Sequence, residues 1–278
     1  MREVRIGERV TVGAGHPLVL VCGPCVIEDK KVMATTAERL KRICETLSLP
    51  LVFKSSFEKD NRSAEDLYNG PGLTEGLRML SWIREEYGVP VLSDVHRESD
   101  CAPAAAVLDV LQIPAYLCQQ TSLLLAAGRT GRAVNVKKGQ FLAPKTMASA
   151  IRKLESTGNR SILLTERGSC FGYNDLIADI TSIPIMQELG YPVVFDAGHI
   201  VRKYGIPSAD ASGGAPRFIP HLARAGVAAG ADALFVEAHP NPGEARCDAA
   251  TQVPLDRLER ILTEVVELAA VVRRWNGA

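Results

Sequence analysis

The chain has 278 residues, 46% of them apolar and 23% charged, and its 32 basic and 32 acidic side chains cancel to a formal net charge of zero. That length permits one large core, and the balanced charge excludes a general electrostatic attraction to nucleic acid or to an acidic membrane surface. The seven cysteines (Cys22, Cys25, Cys44, Cys101, Cys118, Cys170 and Cys247) are odd in number and scattered, which is no disulfide framework and suits a reducing cytosol. The opening "MREVRIGERV" is charged and has no apolar h-region, and no apolar run approaches the roughly 18 residues that span a bilayer. The expectation is a cytoplasmic protein without membrane or nucleic-acid partners.

In chain order, "REVRIGERVTVGAG" reads as a small β-hairpin, placed to cover the bottom of whatever follows. Short β-branched-rich runs then recur: "LVLVC" (18–22), "PLVFKSS" (50–56), "PVLSD" (90–94), "VLQIP" (110–114), "AVNVK" (133–137), "SILLTE" (161–166), "PVVFD" (192–196) and "DALFVE" (232–237). Each reads as a strand buried on both faces. Amphipathic segments such as "KVMATTAERLKRICETL" (31–47) and "EGLRMLSWIREEY" (75–87) separate them, and "RLERILTEVVELAAVVRRW" (257–275) reads as a final helix. Strand–helix alternation implies parallel pairing with right-handed crossovers, and eight such units in about 250 residues predict an α/β fold, a TIM (β/α)8 barrel. A doubly wound sheet is the alternative, but neither a G-x-G-x-x-G nor a G-x-x-x-x-G-K-[ST] fingerprint occurs. No repeat or linker divides the chain, so residues 1–278 are expected to form one domain.

The stretch "VCGPCVIE" (21–28) raises a question of its own. Cys22-Gly-Pro-Cys25 has the form of a redox dithiol, but half of a metal site or two packed thiols fit the spacing equally well. The active site of a TIM barrel lies at the C-terminal ends of its strands. There the sequence places Cys25; Lys54 with the loop 57–66 carrying Lys59, Asn61, Arg62 and Ser63; Asp94 and His96; Gln119 and Gln120; Lys137 and Lys138; Glu166 and Arg167; Asp196 and His199; and Glu237, His239 and Asp248. Polar groups are costly to bury without partners, so a shared pocket explains why apolar strands end in them. Lys54, Lys59, Arg62, Lys137, Lys138 and Arg167 form a basic subset suited to phosphate or carboxylate, and a lysine at such a position also suits a Schiff-base aldolase. Barrel closure makes the last strands neighbours of the first, so Cys25, His199, Glu237 and Asp248 gather. These soft and hard donors suit Fe²⁺, Mn²⁺ or Zn²⁺, unless Cys25 is only a small buried thiol beside the acids.

The stretches "GPCVIE", "FKSSFEKDNRS", "GPGLTEGL", "SDVH", "QIPAYLCQQT", "NVKKGQFLAP", "ERGSCFGYNDL", "FDAGH", "SGG" and "FVEAHPNPGEARCD", in that order, resemble the 3-deoxy-D-manno-octulosonate 8-phosphate synthases (2-dehydro-3-deoxyphosphooctonate aldolases) from about Leu18 to the last helix. The related DAHP synthases, which use erythrose 4-phosphate, share the GPC start, but their sugar-phosphate loop reads more like K-P-R-T-S than Lys59-Asp60-Asn61-Arg62-Ser63. The resemblance implies condensation of phosphoenolpyruvate with D-arabinose 5-phosphate and water in lipopolysaccharide inner-core synthesis, by a homotetramer and without a Schiff base. It also implies that Lys59, Lys137 and Arg167 bind phosphoenolpyruvate, that Asn61, Arg62 and Ser63 hold the sugar phosphate, and that Gln120 completes the pocket. Lys54, Asp94, His96, His199 and Asp248 would take catalytic roles. One branch of the family has asparagine at the position of Cys25 and needs no metal; the cysteine here, with His199, Glu237 and Asp248, implies the metal-dependent branch. Ala64 and Ala249 depart from the family's common residues, a small hydroxyl and a glycine. The Gly- and Pro-rich segment 200–220 reads as a lid.

Overall fold

The computed structural model describes residues 2–13, 15–62, 64–171, 175–207, 210 and 212–275. Strands β1 (Val4–Ile6) and β2 (Val10–Val12) form the expected antiparallel hairpin. Eight parallel strands follow: β3 (Val19–Gly23), β4 (Leu51–Lys54), β5 (Val91–Asp94), β6 (Val110–Ile113), β7 (Ala133–Lys137), β8 (Ile162–Glu166), β9 (Val193–Asp196) and β10 (Ala233–His239). Each pairs with the next, and β10 pairs with both β9 and β3, which closes the barrel. A ninth parallel strand, β11 (Gln252–Pro254), adds to the outer end of β10 with Glu237 opposite Gln252. It is too short to stand out in the sequence.

The helices α1 (Lys30–Leu47), α2 (Leu73–Tyr87), α3 (Glu98–Val107), α4 (Thr121–Arg129), α5 (Ala148–Glu155), α6 (Ser182–Gln187), α7 (Ile219–Ala228) and α8 (Leu255–Trp275) lie around it. The local chemistry of α1 explains both of its ends: the Asp29 carboxylate accepts from Val32 N at 2.9 Å, and Ser48 closes the helix in a left-handed conformation. Its buried stripe, Met33, Ala37, Leu40 and Cys44, packs on the outward residues of the barrel. Among the described residues no helix is long and apolar enough to cross a membrane.

Alternation along the strands sorts the side chains. Leu20, Phe53, Val91, Leu111, Val134, Leu164 and Phe195 face the helices. Val19, Val21, Val52, Leu92, Val110, Ala133, Leu163, Val194, Ala233 and Phe235 fill the barrel and cluster with Val4, Ile6, Val10 and Val12 of the hairpin. The hairpin is therefore the floor of the barrel, as its position in the sequence suggested. Two residues further along each strand, the same inward face carries Lys54, Asp94, Gln112, Asn135, Lys137, Thr165, Asp196 and Glu237, all buried. Gly23 is needed at this level, because a Cβ there would stand 2.1 Å from the carbonyl oxygen of Lys54.

Candidate active site

Hydrogen bonds and ion pairs link most of the polar layer. Gln112 Nε2 donates to Asp94 Oδ1 at 2.7 Å, Asn135 Nδ2 to Gln112 Oε1 at 2.9 Å, and Thr165 Oγ1 to Asn135 Oδ1 at 2.7 Å. This ladder crosses four neighbouring strands and fixes one oxygen of Asp94. Its other oxygen accepts from Ser56 Oγ at 2.6 Å and from Lys59 Nζ at 3.4 Å. Burial works to raise the Asp94 pKa, yet Lys59, Lys54 and their neighbours outweigh it and hold the carboxyl well below the usual carboxylate range.

A second knot joins β4, β9 and β10. Lys54 Nζ donates to Glu237 Oε1 at 2.7 Å and to Cys25 O at 2.9 Å. Asp196 Oδ2 lies 2.7 Å from Lys137 Nζ and 2.8 Å from His199 Nδ1. A carboxylate only accepts, so Nδ1 of His199 carries a proton, while Nε2 lies 3.6 Å from Glu237 Oε1 and 3.8 Å from Asp248 Oδ2. Burial alone would raise Asp196, but His199, Lys137 and Arg167 keep it well below its ordinary value. Lys137 is held below the ordinary lysine range because burial outweighs the pull of Asp196 and Asp94.

Asp248 has a left-handed backbone, φ 49°, rare for a residue with a side chain. Its carboxylate accepts from Cys25 Sγ at 3.1 Å. Burial opposes its ionisation, but His199, Lys59 and the Cys25 thiol bring its pKa down to about 2. The Cys25 thiol moves the other way: burial first, then Cys247 and Asp248, push it well up. His199, Glu237 and Asp248 offer ligand atoms within 4.8 Å of one another, and so do Cys25, Cys247 and Asp248. The two groups share Asp248, which links Cys25 on one side to His199 and Glu237 on the other. The buried Glu237 Oε2 has no hydrogen-bond partner, an oxygen that a cation would satisfy. Donor chemistry and this orphaned oxygen both fit a divalent metal.

A pocket opens above the polar layer. Lys59, Asn61, Asp94, His96, Lys137, Arg167 and His199 line it, joined by Asp60, Tyr116 and Gln140. Seven of the residues named from the sequence therefore share one cavity, and Lys54, Cys25, Glu237 and Asp248 adjoin it through the bonds above. Arg62 donates to Cys247 Sγ at 2.8 Å and to Arg246 O at 3.2 Å, which ties the β4–α2 loop to the loop carrying Asp248. Ser63 lies outside the described residues. Gln120 is exposed at the start of α4 and does not line this pocket. Two strand-end candidates turn away from it. Lys138 faces outward, 3.4 Å from Glu166 Oε2, and Glu166 is held by Ser182 Oγ and Gly168 N. Each follows or precedes an inward residue by one position, and strand alternation sends it to the other face.

Sequence reading gave no role to Gln112, Asn135, Thr165 and Cys247. For the first three a signal existed: a polar residue at an inward position of an apolar strand, two residues beyond an inward aliphatic. Asp196 was seen at its strand end but not as the partner that orients His199.

A family model described as the DAHP synthetase I family matches residues 2–274. The chain belongs to this family. Within it, the chain is 51% identical over 272 residues to a 2-dehydro-3-deoxyphosphooctonate aldolase of Trichlorobacter lovleyi, covering 98% of this chain and 99% of that one. A protein of the same name from Pelobacter propionicus is 52% identical over 272 residues, with the same coverage, and one from Protochlamydia amoebophila 51% over 274 residues, with 99% of each chain covered. Full-length matches of this kind mean that the octulosonate resemblance and the family membership rest on the whole barrel rather than on isolated motifs.

Proposed function

We propose that this chain is a transferase that condenses phosphoenolpyruvate with D-arabinose 5-phosphate and water to give 3-deoxy-D-manno-octulosonate 8-phosphate and phosphate, for the lipopolysaccharide inner core. The names of its near-full-length relatives support the reaction. The observation that carries it is the meeting of a cation-lined pocket with the Cys25, His199, Glu237 and Asp248 cluster, His199 belonging to both. In this reading C3 of phosphoenolpyruvate bonds to the sugar aldehyde, water adds at C2, and phosphate leaves by C–O cleavage.

Lys59, Lys137 and Arg167 would bind the phosphate and carboxylate of phosphoenolpyruvate and offset charge as phosphate departs. Lys54 is fixed by Glu237 and the Cys25 carbonyl, so it acts by charge at a set position rather than as a swinging nucleophile. Asn61, Arg62 and Ser63 would hold the phosphate of the sugar. Asp94, locked by the ladder, and His96 would orient the sugar hydroxyls. Cys25, His199, Glu237 and Asp248 would hold Fe²⁺, Mn²⁺ or Zn²⁺. When bound, the ion supplies Lewis-acid charge that positions and polarises the sugar or the attacking water. The same reading makes the chain one barrel domain, residues 1–278, assembled as a cytoplasmic homotetramer.

Phosphate release from phosphoenolpyruvate tests it. Release is expected with arabinose 5-phosphate, lost after chelation and restored by Mn²⁺, Fe²⁺ or Zn²⁺. Activity with erythrose 4-phosphate in its place would overturn the substrate assignment. Full activity in a metal-free preparation would overturn the role of Cys25 as ligand.

A further inference from the structure

The cations of the polar layer are paired inside the protein: Lys54 with Glu237, Lys59 with Asp94, Lys137 with Asp196. Arg167 differs. Its side chain is buried and lines the pocket, yet among the described residues no carboxylate lies within ion-pair distance. Its guanidinium instead donates from Nη1 to the hydroxyl of Tyr204 at 3.0 Å. Tyr204 comes from the segment between β9 and α7 and is itself 44% exposed, while its oxygen reaches two residues of the pocket wall, Arg167 and Gln140. The same oxygen accepts from Gln140 Nε2 at 2.6 Å, and the Tyr116 hydroxyl adjoins it. A neutral phenol aims a guanidinium without cancelling its charge, and the rest of the fork keeps its donors for an incoming anion.

The segment is braced. Arg202 donates to the carbonyl oxygens of Lys203, Ile206 and Gly213, and Nε of Arg202 lies 3.8 Å from Asp248 Oδ1. Antiparallel bridges hold Lys203 against Asp175 and Arg202 against Gly214. Tyr204 thus directly follows two residues, Arg202 and Lys203, that are held by these contacts.

We propose that Tyr204 is a positioning residue for phosphoenolpyruvate: it sets the Arg167 guanidinium for the substrate's anionic group. The assignment of the ligand rests on the proposed function; the geometry of Tyr204 and Arg167 does not. Gln140 belongs to the same unit, because it donates to the same phenol oxygen.

Tyr204→Phe keeps the ring and removes the oxygen. The KM for phosphoenolpyruvate is expected to rise about tenfold, the scale of one lost charge-assisted hydrogen bond, with a smaller change in kcat and in the KM for arabinose 5-phosphate. Calorimetric titration of the metal-loaded protein with phosphoenolpyruvate alone should show the same weakening. Because Tyr204 acts through Arg167, Tyr204→Phe should add little in an Arg167→Ala background. Equal changes in the KM of both substrates, a loss confined to kcat, full additivity with Arg167→Ala, or unchanged binding would each overturn the proposal. A wild-type protein that binds phosphoenolpyruvate without turning over arabinose 5-phosphate would overturn the reaction assignment, while the titrations would still decide the role of Tyr204. A wild-type protein that binds no phosphoenolpyruvate would overturn both.

Discussion

The two ends of one barrel are built from the same strands, two residues apart, on opposite principles. At the bottom, Val19, Val21, Val52, Leu92 and Phe235 meet the hairpin residues Val4, Ile6, Val10 and Val12 in an apolar plug. At the top, Lys54, Asp94, Gln112, Asn135, Lys137, Asp196 and Glu237 form a buried polar layer in which each cation meets a carboxylate and the amides form a ladder. The bottom gains stability from area removed from water and tolerates imprecise partners. The top gains little net stability, because desolvation offsets the pairing, but it fixes where every charge points. Stability and chemistry are therefore separable along one strand, and substitutions at the two ends should separate them.

The largest effect is expected at the top. Glu237→Gln keeps the shape but removes the anion beside Lys54 and one of the proposed metal donors. Phosphate release should fall by at least about a thousandfold, bound metal should drop in elemental analysis, and urea unfolding should show about 3–5 kcal/mol lost from the broken buried pair. Retained activity would mean that the knot under the pocket is structural only.

Adjacent residues sharpen the contrast next. Lys137 and Lys138 are sequence neighbours on opposite faces of β7, one against Asp196 in the pocket, the other against Glu166 behind it. Lys137→Met should raise the KM for phosphoenolpyruvate more than about thirtyfold, the loss of a charged contact, whereas Lys138→Met should leave that KM unchanged and lower stability. The pH dependence follows from the same burial. With its pKa held below the ordinary lysine range, Lys137 releases its proton earlier as pH rises, so kcat/KM for phosphoenolpyruvate should fall on the alkaline side. Lys137→Arg, which stays charged, should move that fall to higher pH. An unmoved alkaline limb would assign it to another group.

At the bottom, Ile6→Ala should cost about 2–4 kcal/mol in urea unfolding, as for other buried large-to-small changes, with the KM of both substrates unchanged. A change in KM would show that the floor transmits strain to the polar layer.

Much of this architecture was legible because strand residues obey a period of two. All eight barrel strands and the hairpin could be read from β-branched runs and turn signals, and a charged residue at the end of an apolar run marked Lys54, Asp94, Lys137, Asp196 and Glu237. What stayed hidden has physical reasons. Lys138 and Glu166 differ from their functional neighbours only in phase, and phase depends on the residue at which the strand starts. The strand β11 is three residues long. The left-handed conformation belongs to Asp248 itself, so Ala249 meets no demand for a positive φ. Tyr204 acts across 37 residues of separation from Arg167, through a contact that no local pattern encodes.

The smallest effect should come from Cys22, and it decides what the C-G-P-C stretch is for. Gly23 and Pro24 place the two thiols in different environments. Cys22 points outward into the apolar layer between β3 and the helices, whereas Cys25 lies with Val26 and Cys247 beside Asp248. A working dithiol needs at least one thiol that ionises readily, yet burial drives both upward: Cys22 by desolvation with Cys44 and Glu237 adding, Cys25 by desolvation with Cys247 and Asp248 adding. No disulfide joins them. Cys22→Ala should therefore leave phosphate release within about twofold and cost about 1 kcal/mol of stability, the scale for deleting a small buried group. Cys25→Ala should abolish metal retention and most activity. If instead both alanine variants lost activity alike, and oxidation of the wild type gave a Cys22–Cys25 disulfide by mass spectrometry, the redox reading of the stretch would stand and Cys25 would have to be removed from the metal site.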